Sequence, residues 1–191
     1  INVFNNPDTG AYDELIGILS GARLAASHLS YRGENVYLDS AAAKLYVLDQ
    51  SGPMQEAARE VFSEFIPREK IHQAKILDLA TGNGLMARQA VLNNVGEVVG
   101  LDESESLIQF AKEKTADLIA RPGSSTKVRW VSGNMFLLDS LLPAHNGDPE
   151  LFDYVTVANT LFEFSDEALT DFFEIVKKHL KDDGQIIILQ R

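Results

Sequence analysis

The chain of 191 residues contains no cysteine. That excludes disulfides, thiolate metal sites and cysteine nucleophiles, and it fits a cytoplasmic setting. Long apolar runs are missing as well. None approaches the roughly 18 residues of a membrane span, and no stretch has the pattern of a secretory signal. Basic residues are scarce: 17 Lys and Arg stand against 28 Asp and Glu, for a net charge of −11. Nucleic-acid surfaces draw most of their affinity from Lys and Arg, so neither nucleic acid nor a membrane is an expected partner. Any anionic ligand has to be held locally, by backbone N–H groups. His28, His72, His145 and His179 show no metal-like spacing, so no metal is expected. The sequence begins with Ile1 rather than Met, and is expected to be processed, trimmed or cut from a longer chain.

What is present is the composition of an ordinary globular domain, 45% apolar and 24% charged. Its texture changes near residue 70. Beyond that point short apolar runs alternate with helical patterns: AKILDLA (74–80), GEVVGLD (96–102), TKVRWVSGN (126–134), FDYVTVANT (152–160) and GQIIILQ (184–190). Between them SLIQFAKEKTADLIA (106–120) and DEALTDFFEIVKKHL (166–180) read as amphipathic helices. Buried-type strands alternating with helices predict βαβ units and a mostly parallel sheet. The earlier part is less regular. Residues 12–29 read as a helix, and 35–50 read either as a hairpin or as a loop and helix. Residues 52–67 form a helix starting near Pro53 and stopped before Pro67.

The stretch DLATGNG (78–84) follows the first run and opens a helix. Gly82 and Gly84 allow a sharp turn and close backbone approach to a ligand. The helix start offers unpaired N–H groups to negative charge. GNGLMA alone matches a dinucleotide fingerprint, which is a weak signal. Two carboxylates refine it. Asp102 closes the second strand about 20 residues past the glycines, where it can accept ribose hydroxyls. Asp78 lies beside the loop, where an acid repels a pyrophosphate but suits a cationic amino group. The expected ligand therefore carries a ribose and a positive charge. A nicotinamide-binding oxidoreductase is the weaker reading for the same reason.

Residues 74–190 resemble a class I S-adenosylmethionine-dependent methyltransferase. ILDLATGNG is similar to that family's first motif, VVGLDES to its second, VSGNMF to its third, FDYVTVANTLFEF to its fourth and LKDDGQIIIL to its late segment. The resemblance implies an α/β fold, a Rossmann-like three-layer αβα sandwich, with S-adenosyl-L-methionine as cofactor and S-adenosyl-L-homocysteine as product. It implies that Asp78 and the backbone at Ala80 and Thr81 lie near the methionine amino group. Gly82 and Gly84 pass beneath the cofactor. Asp102, with Glu103 and Ser104, holds the ribose. Asn134 and Met135 meet the adenine, while Asn159 and Thr160 lie near the sulfonium. Ala80 stands where the family usually has glycine; alanine is tolerable there at negative φ, and narrows the gap.

These residues also have plainer readings. Asp102 with Ser104 can cap a helix, and Asp78 can satisfy loop amides. Asn134 can be a turn residue, Phe162 and Phe164 core aromatics, Glu163 a solvated charge and Trp130 packing. Glu163 is the candidate acid–base residue. Tyr12, Tyr31 and Phe162 are candidates for the acceptor pocket, since four of five tyrosines fall in the first 50 residues.

The expected organisation is an N-terminal, mainly helical lid over residues 1–70 and a cofactor-binding core over 71–191. The family's strands six and seven are expected to be absent from this chain, leaving QIIIL as an exposed apolar edge, a liability. A fragment, a second chain in a homo- or hetero-oligomer, or residues 35–50 folding back would each account for it. The expected activity is methyl transfer to a small-molecule acceptor through O, N, S or C. A non-catalytic methyltransferase-like subunit, or part of a larger multidomain or heteromeric enzyme, is the alternative.

Overall fold

The computed structural model describes residues 2–5, 53–142, 148–161 and 164–189. The helix expected over 12–29 and the ambiguous segment 35–50 lie outside the described residues. The elements are β1 (Asn2–Asn5), α1 (Pro53–Glu60), β2 (Lys75–Leu79), α2 (Leu85–Leu92), β3 (Glu97–Asp102), α3 (Glu105–Ile119), β4 (Lys127–Ser132), α4 (Leu138–Leu141), β5 (Phe152–Ala158), α5 (Asp166–Lys178) and β6 (Leu180–Leu189). A π-helical turn, Val61–Phe65, extends α1, and a 3-10 turn, Met135–Leu137, precedes α4. Ile66 is extended, at φ −106° and ψ 111°. The ring of Pro67 disfavours helix at the residue before it, so the helix ends there.

The sheet order is β1-β6-β5-β2-β3-β4. Strands β2 to β6 run parallel, and β1 pairs antiparallel with β6. Side chains alternate between two cores. Leu77, Leu79, Val99, Leu101, Val155, Val157, Ile186 and Ile188 pack against Leu169, Phe172, Phe173 and Val176 of α5 and Leu138 of α4. Ile76, Val98, Tyr154 and Ile187 face Met54, Ala58, Met86, Ala87 and Ala90 of α1 and α2. The result is the expected αβα sandwich. Near-continuous apolar runs such as IIIL follow from burial of a parallel sheet on both faces.

Two expectations are corrected. The β6 edge is not bare: Asn2, Val3, Phe4 and Asn5 pair with Ile188, Ile187, Ile186 and Gln185. A segment of this same chain, Asn2–Asn5, covers it, while residues 35–50 lie outside the described residues. Antiparallel pairing lets a short segment satisfy the backbone groups of an edge without a crossover helix. The second correction concerns Ala80, whose φ is +51°, not negative. The turn after β2 is left-handed whether or not a glycine stands there.

The last strand also starts earlier than its apolar run. Leu180 pairs with Phe152, and Gln185 with Tyr154, so Lys181–Gly184 bulge opposite the single residue Asp153. Asp182 and Asp183 are exposed in that bulge, which gives them the solvated position their charge requires.

Candidate functional site

The chain leaves β2 toward β3 and β4 on one side of the sheet, then returns to β5 on the other. The strand order therefore reverses between β2 and β5, and ligands of open α/β sheets bind outside the carboxyl ends of the strands at such a point. Both turns there are left-handed at non-glycine residues: Ala80 at φ +51° after β2 and Asn159 at φ +49° after β5. For an L-residue that conformation costs about 1 kcal/mol or more, with Asn the better tolerated. Strain of this kind gathers at functional sites.

A small cleft opens beside these turns. It is lined by Met54, Asp78, Ala80, Thr81, Gly82, Asn83, Leu85, Met86 and Ala158. Four of these, Asp78, Ala80, Thr81 and Gly82, are sequence-predicted site residues. Met54, Asn83, Leu85, Met86 and Ala158 were not. Met54 belongs to α1, more than 20 residues before the glycine loop, and its Sδ lies 3.4 Å from Asn159 Nδ2. Its position inside an otherwise plain helix offered no signal.

Asp78 forms the floor. One row across the sheet reads Trp130, Gly100, Asp78, Thr156 and Ile187. Thr156 Oγ1 donates to Asp78 Oδ1 at 2.8 Å, and the Thr81 hydroxyl donates to Oδ2. Among the described residues no cation bonds to it. Burial pushes its pKa up to about 7 against the pull of the two hydroxyls, and the nearby Asp102 charge adds to the rise. On the other side of this row, a Cβ at Gly100 would stand 2.6 Å from the Trp130 ring. Glycine is required there for Trp130 to lie flat over the strand, so Trp130 is packing.

The glycine loop is tied at several points. Thr81 N–H donates to Leu101 O at 2.9 Å, and Gly82 N–H to Asp102 Oδ2 at 2.8 Å. Asp102 Oδ1 accepts from Ser104 N–H at 2.9 Å. Burial raises the Asp102 pKa, while the N–H groups of Ser104 and Gly82 oppose the rise. A carboxylate has about four lone-pair sites. Two remain for a ligand, so bracing the loop and accepting hydroxyls are compatible. The cap of α3 is Ser104, whose Oγ accepts from Leu107 N–H at 3.3 Å. Glu103 is exposed beside it.

Gly84 caps α2 at φ +75°, and a Cβ there would meet Ala111 Cβ at 2.8 Å. Asn134 follows β4 and caps the 3-10 turn, its Oδ1 accepting from Phe136 N–H at 2.9 Å. Its amide N–H groups and a second lone pair remain available to a ligand. Met135 begins that turn and is partly buried against the α5 core. Thr160 Oγ1 donates to Ala158 O at 3.0 Å. Thus Asp102, Glu103, Ser104, Asn134, Met135, Asn159 and Thr160 all lie at or just past the carboxyl ends of β3, β4 and β5, around the cleft's end of the sheet. Tyr12, Tyr31, Phe162 and Glu163 lie outside the described residues.

A parallel sheet with a braced glycine loop at its switch point defines a nucleotide-type binding domain of the α/β class. The chain belongs to the methyltransferase-domain family, whose model matches residues 76–184. Among curated proteins none matches the chain. Solved structures share its fold. A candidate O-methyltransferase from Nostoc punctiforme is 18% identical, with a TM-score of 0.64 over 91% of this chain and 48% of its own. Phosphoethanolamine N-methyltransferase 1 from Haemonchus contortus, solved with phosphoethanolamine and S-adenosylhomocysteine, is 16% identical, with a TM-score of 0.54 over 91% and 31%. The plantazolicin methyltransferase BpumL, solved with S-adenosylhomocysteine, is 18% identical, with a TM-score of 0.56 over 94% and 62%. The chain thus spans about half the length of the Nostoc protein and less than a third of the Haemonchus one. The cofactor of this fold and family is S-adenosylmethionine. Among the described residues no helix is long and apolar enough to cross a membrane.

Proposed function

We propose that this chain is the donor-binding core of an S-adenosylmethionine-dependent methyltransferase acting on a small-molecule acceptor. The observation that carries the reading is the floor of the cleft: a buried carboxylate, Asp78, whose partners among the described residues are two hydroxyls, at the switch point of the sheet. Such a floor selects a cationic group and disfavours a pyrophosphate. That selectivity fits the cofactor.

In this reading Asp78 takes the ammonium, with the backbone at Ala80 and Thr81 beside it. Gly82 and Gly84 carry the loop beneath the cofactor. Asp102, Glu103 and Ser104 take the ribose hydroxyls, Asn134 and Met135 the adenine, and Asn159 and Thr160 the sulfonium end. Bound there, the cofactor supplies a methyl group already activated by its sulfonium. The protein's task is then orientation and exclusion of water, since in-line transfer depends on alignment of the reacting atoms. Met54 closes the Asn159 side of the cleft with an apolar, polarisable thioether, which suits a dry site. Residues 1–70 would supply acceptor contacts, Tyr12 and Tyr31 among them, together with Phe162, and Glu163 would be the acid–base group.

A peptide acceptor is the second reading, favoured by the likeness to the plantazolicin methyltransferase over nearly the whole chain. A non-catalytic role, or a part in a larger or heteromeric enzyme, is the alternative that the short span against its structural relatives keeps in play. Calorimetric titration with S-adenosylhomocysteine tests the cofactor site. Micromolar binding is expected; its absence would leave the non-catalytic reading in its place. An acceptor screen with labelled donor then decides between small molecule and peptide.

A further inference from the structure

The chain has one tryptophan, Trp130, half-buried in the edge strand β4. Its ring occupies space that two missing side chains leave open. A Cβ at Gly100 of β3 would stand 2.6 Å from Trp130 Cζ3 and 2.7 Å from Cε3, and a Cβ at Gly84 would stand 3.0 Å from Cη2. The six-membered part of the indole therefore reaches from the strand to the last glycine of the loop, where α2 begins. Thr81 adjoins the same space, its Oγ1 lying 3.2 Å from where the Gly100 Cβ would be. Trp130 is not among the residues that line the cleft, whereas Thr81, Gly82 and Asn83 of the loop are.

The hydrogen bonds that tie this loop to the sheet run to β3. Thr81 N–H donates to Leu101 O and Gly82 N–H to Asp102 Oδ2. They hold the first half of the loop against that strand, but they do not set how far Gly84 stands from the sheet. Packing sets that separation. The indole lies on one side of Gly84, and Ala111 of α3, whose Cβ would be 2.8 Å from a Gly84 Cβ, on another. An indole is large and rigid, with two χ angles, and a close-packed interior passes its thickness on to whatever rests against it. We infer that Trp130 is a positioning residue for the donor site. It does not touch the ligand. It acts through the glycine loop, by setting the height of Gly84 and the first turn of α2 over the sheet. The inference rests on the donor reading above. Packing alone would make Trp130 a contributor to stability, whereas positioning makes it a determinant of affinity.

Because the chain has no second tryptophan, its indole emission reports on Trp130 alone. The wild-type chain is titrated with S-adenosylhomocysteine and followed by fluorescence and by calorimetry. The emission should change and should saturate together with the calorimetric heat, although Trp130 lies outside the lining of the cleft. Two variants then grade the support. Trp130→Phe keeps a ring beside Gly100 but is too short to reach Gly84, and Trp130→Leu keeps no ring at all. Sites of this kind have to be held to about 0.5 Å, so Trp130→Leu should weaken S-adenosylhomocysteine about 10-fold and Trp130→Phe about 3-fold. Both affinities are read under conditions where urea denaturation shows the variant fully folded. Variants that lose stability yet bind within 2-fold of wild type would leave Trp130 as packing and overturn the inference. So would a wild-type emission that stays flat while calorimetry records binding, an outcome that needs no variant to fold. If calorimetry records no binding to the wild type, the donor reading falls and the inference with it.

Discussion

The two ends of the sheet treat charge in opposite ways. At the amino ends of the strands the shielded charges among the described residues are paired. Glu150 accepts from Lys75 Nζ at 2.6 Å and from Arg129 Nη2 at 2.5 and 2.6 Å, and Glu97 lies 3.8–3.9 Å from both cations. Asp153 takes the Lys75 N–H at 2.8 Å and Lys181 Nζ at 2.7 Å. At the carboxyl ends Asp78 has hydroxyls, Asp102 has backbone amides, Arg88 has a carbonyl, and two turns are left-handed. One end is arranged for stability. The other holds charge whose partners among the described residues are neutral, which a ligand of opposite charges would compensate.

The largest expected effect comes from taking away the Asp78 charge. Its carboxyl has a pKa of about 7 in the fold against an ordinary value of 3.8. The folded state therefore holds the proton more tightly. Below about pH 4 both states are protonated and nothing is lost. From there to pH 7 the unfolded chain ionises and the native one does not, so stability falls as pH rises, by about 4 kcal/mol in all. Asp78→Asn removes that slope but leaves one threonine hydroxyl without its acceptor, at about 1 kcal/mol. Urea denaturation should show the variant about 3 kcal/mol more stable than wild type at pH 8 and about 1 kcal/mol less stable at pH 4. Ligand binding should move the other way. Affinity for S-adenosylhomocysteine should rise as pH passes upward through 7, because the ammonium needs the ionised partner, and Asp78→Asn should flatten that rise. A pH-independent affinity in the wild type would remove Asp78 from the ammonium site.

Asp102→Ala comes next. It deletes the acceptor of two backbone N–H groups and of any ribose hydroxyl. A loss of about 100-fold in S-adenosylhomocysteine affinity is expected, or roughly 2.7 kcal/mol. Calorimetry at fixed pH reads it, and unchanged affinity would sink the ribose assignment. At the opposite end Glu150→Gln should cost about 1–2 kcal/mol at pH 7, since the pair is partly shielded rather than deeply buried. Burial alone would raise the Glu150 pKa, but hydrogen bonds and charge from Arg129 and Lys75 outweigh it and hold it below the ordinary range. That stabilisation is present above the unfolded pKa and is lost as pH falls through the folded one. The cost of Glu150→Gln should thus shrink on acidification and with added salt, the reverse of the Asp78 profile, and leave ligand affinity untouched.

The sharpness of that contrast was partly readable in advance. Strands β2 to β5 and helices α3 and α5 stood out because a sheet buried on both faces writes continuous apolar runs, and surface helices write a 3.6-residue period. Asp78 and Asp102 stood out because acids at strand ends beside a glycine loop have few other uses. Other features were hidden by their physics. The strand Asn2–Asn5 is four residues long, and its place beside β6 is a long-range pairing that no local pattern records. Met54 enters the cleft from a helix packed by tertiary contact, and helical period says only that it is buried. Arg88 carries no sequence signal, because sequence does not tell which way a long side chain folds back. The amino-end ion pairs join residues such as Lys75 and Glu150, 75 positions apart.

Ala80 is the position where sequence expectation and backbone disagree most directly, and it gives the smallest effect. At φ +51° an alanine carries a steric cost of about 1 kcal/mol that glycine escapes. Glycine in turn loses more freedom on folding, by about 0.5 kcal/mol. Ala80→Gly should therefore stabilise the chain by only about 0.5 kcal/mol, a shift of one or two degrees in Tm for a domain of this size. The reverse change at a neighbouring turn has the opposite sign. Gly84→Ala meets both a positive φ and the Ala111 Cβ at 2.8 Å, and should cost about 2 kcal/mol. The Ala80 side chain lines the cleft, so the glycine variant also widens it. If Ala80 is a tolerated departure from glycine, ligand affinity should change less than 2-fold while stability rises. If affinity falls as stability rises, the methyl group is itself a contact, and the strain at Ala80 is held in place by what it does for the ligand.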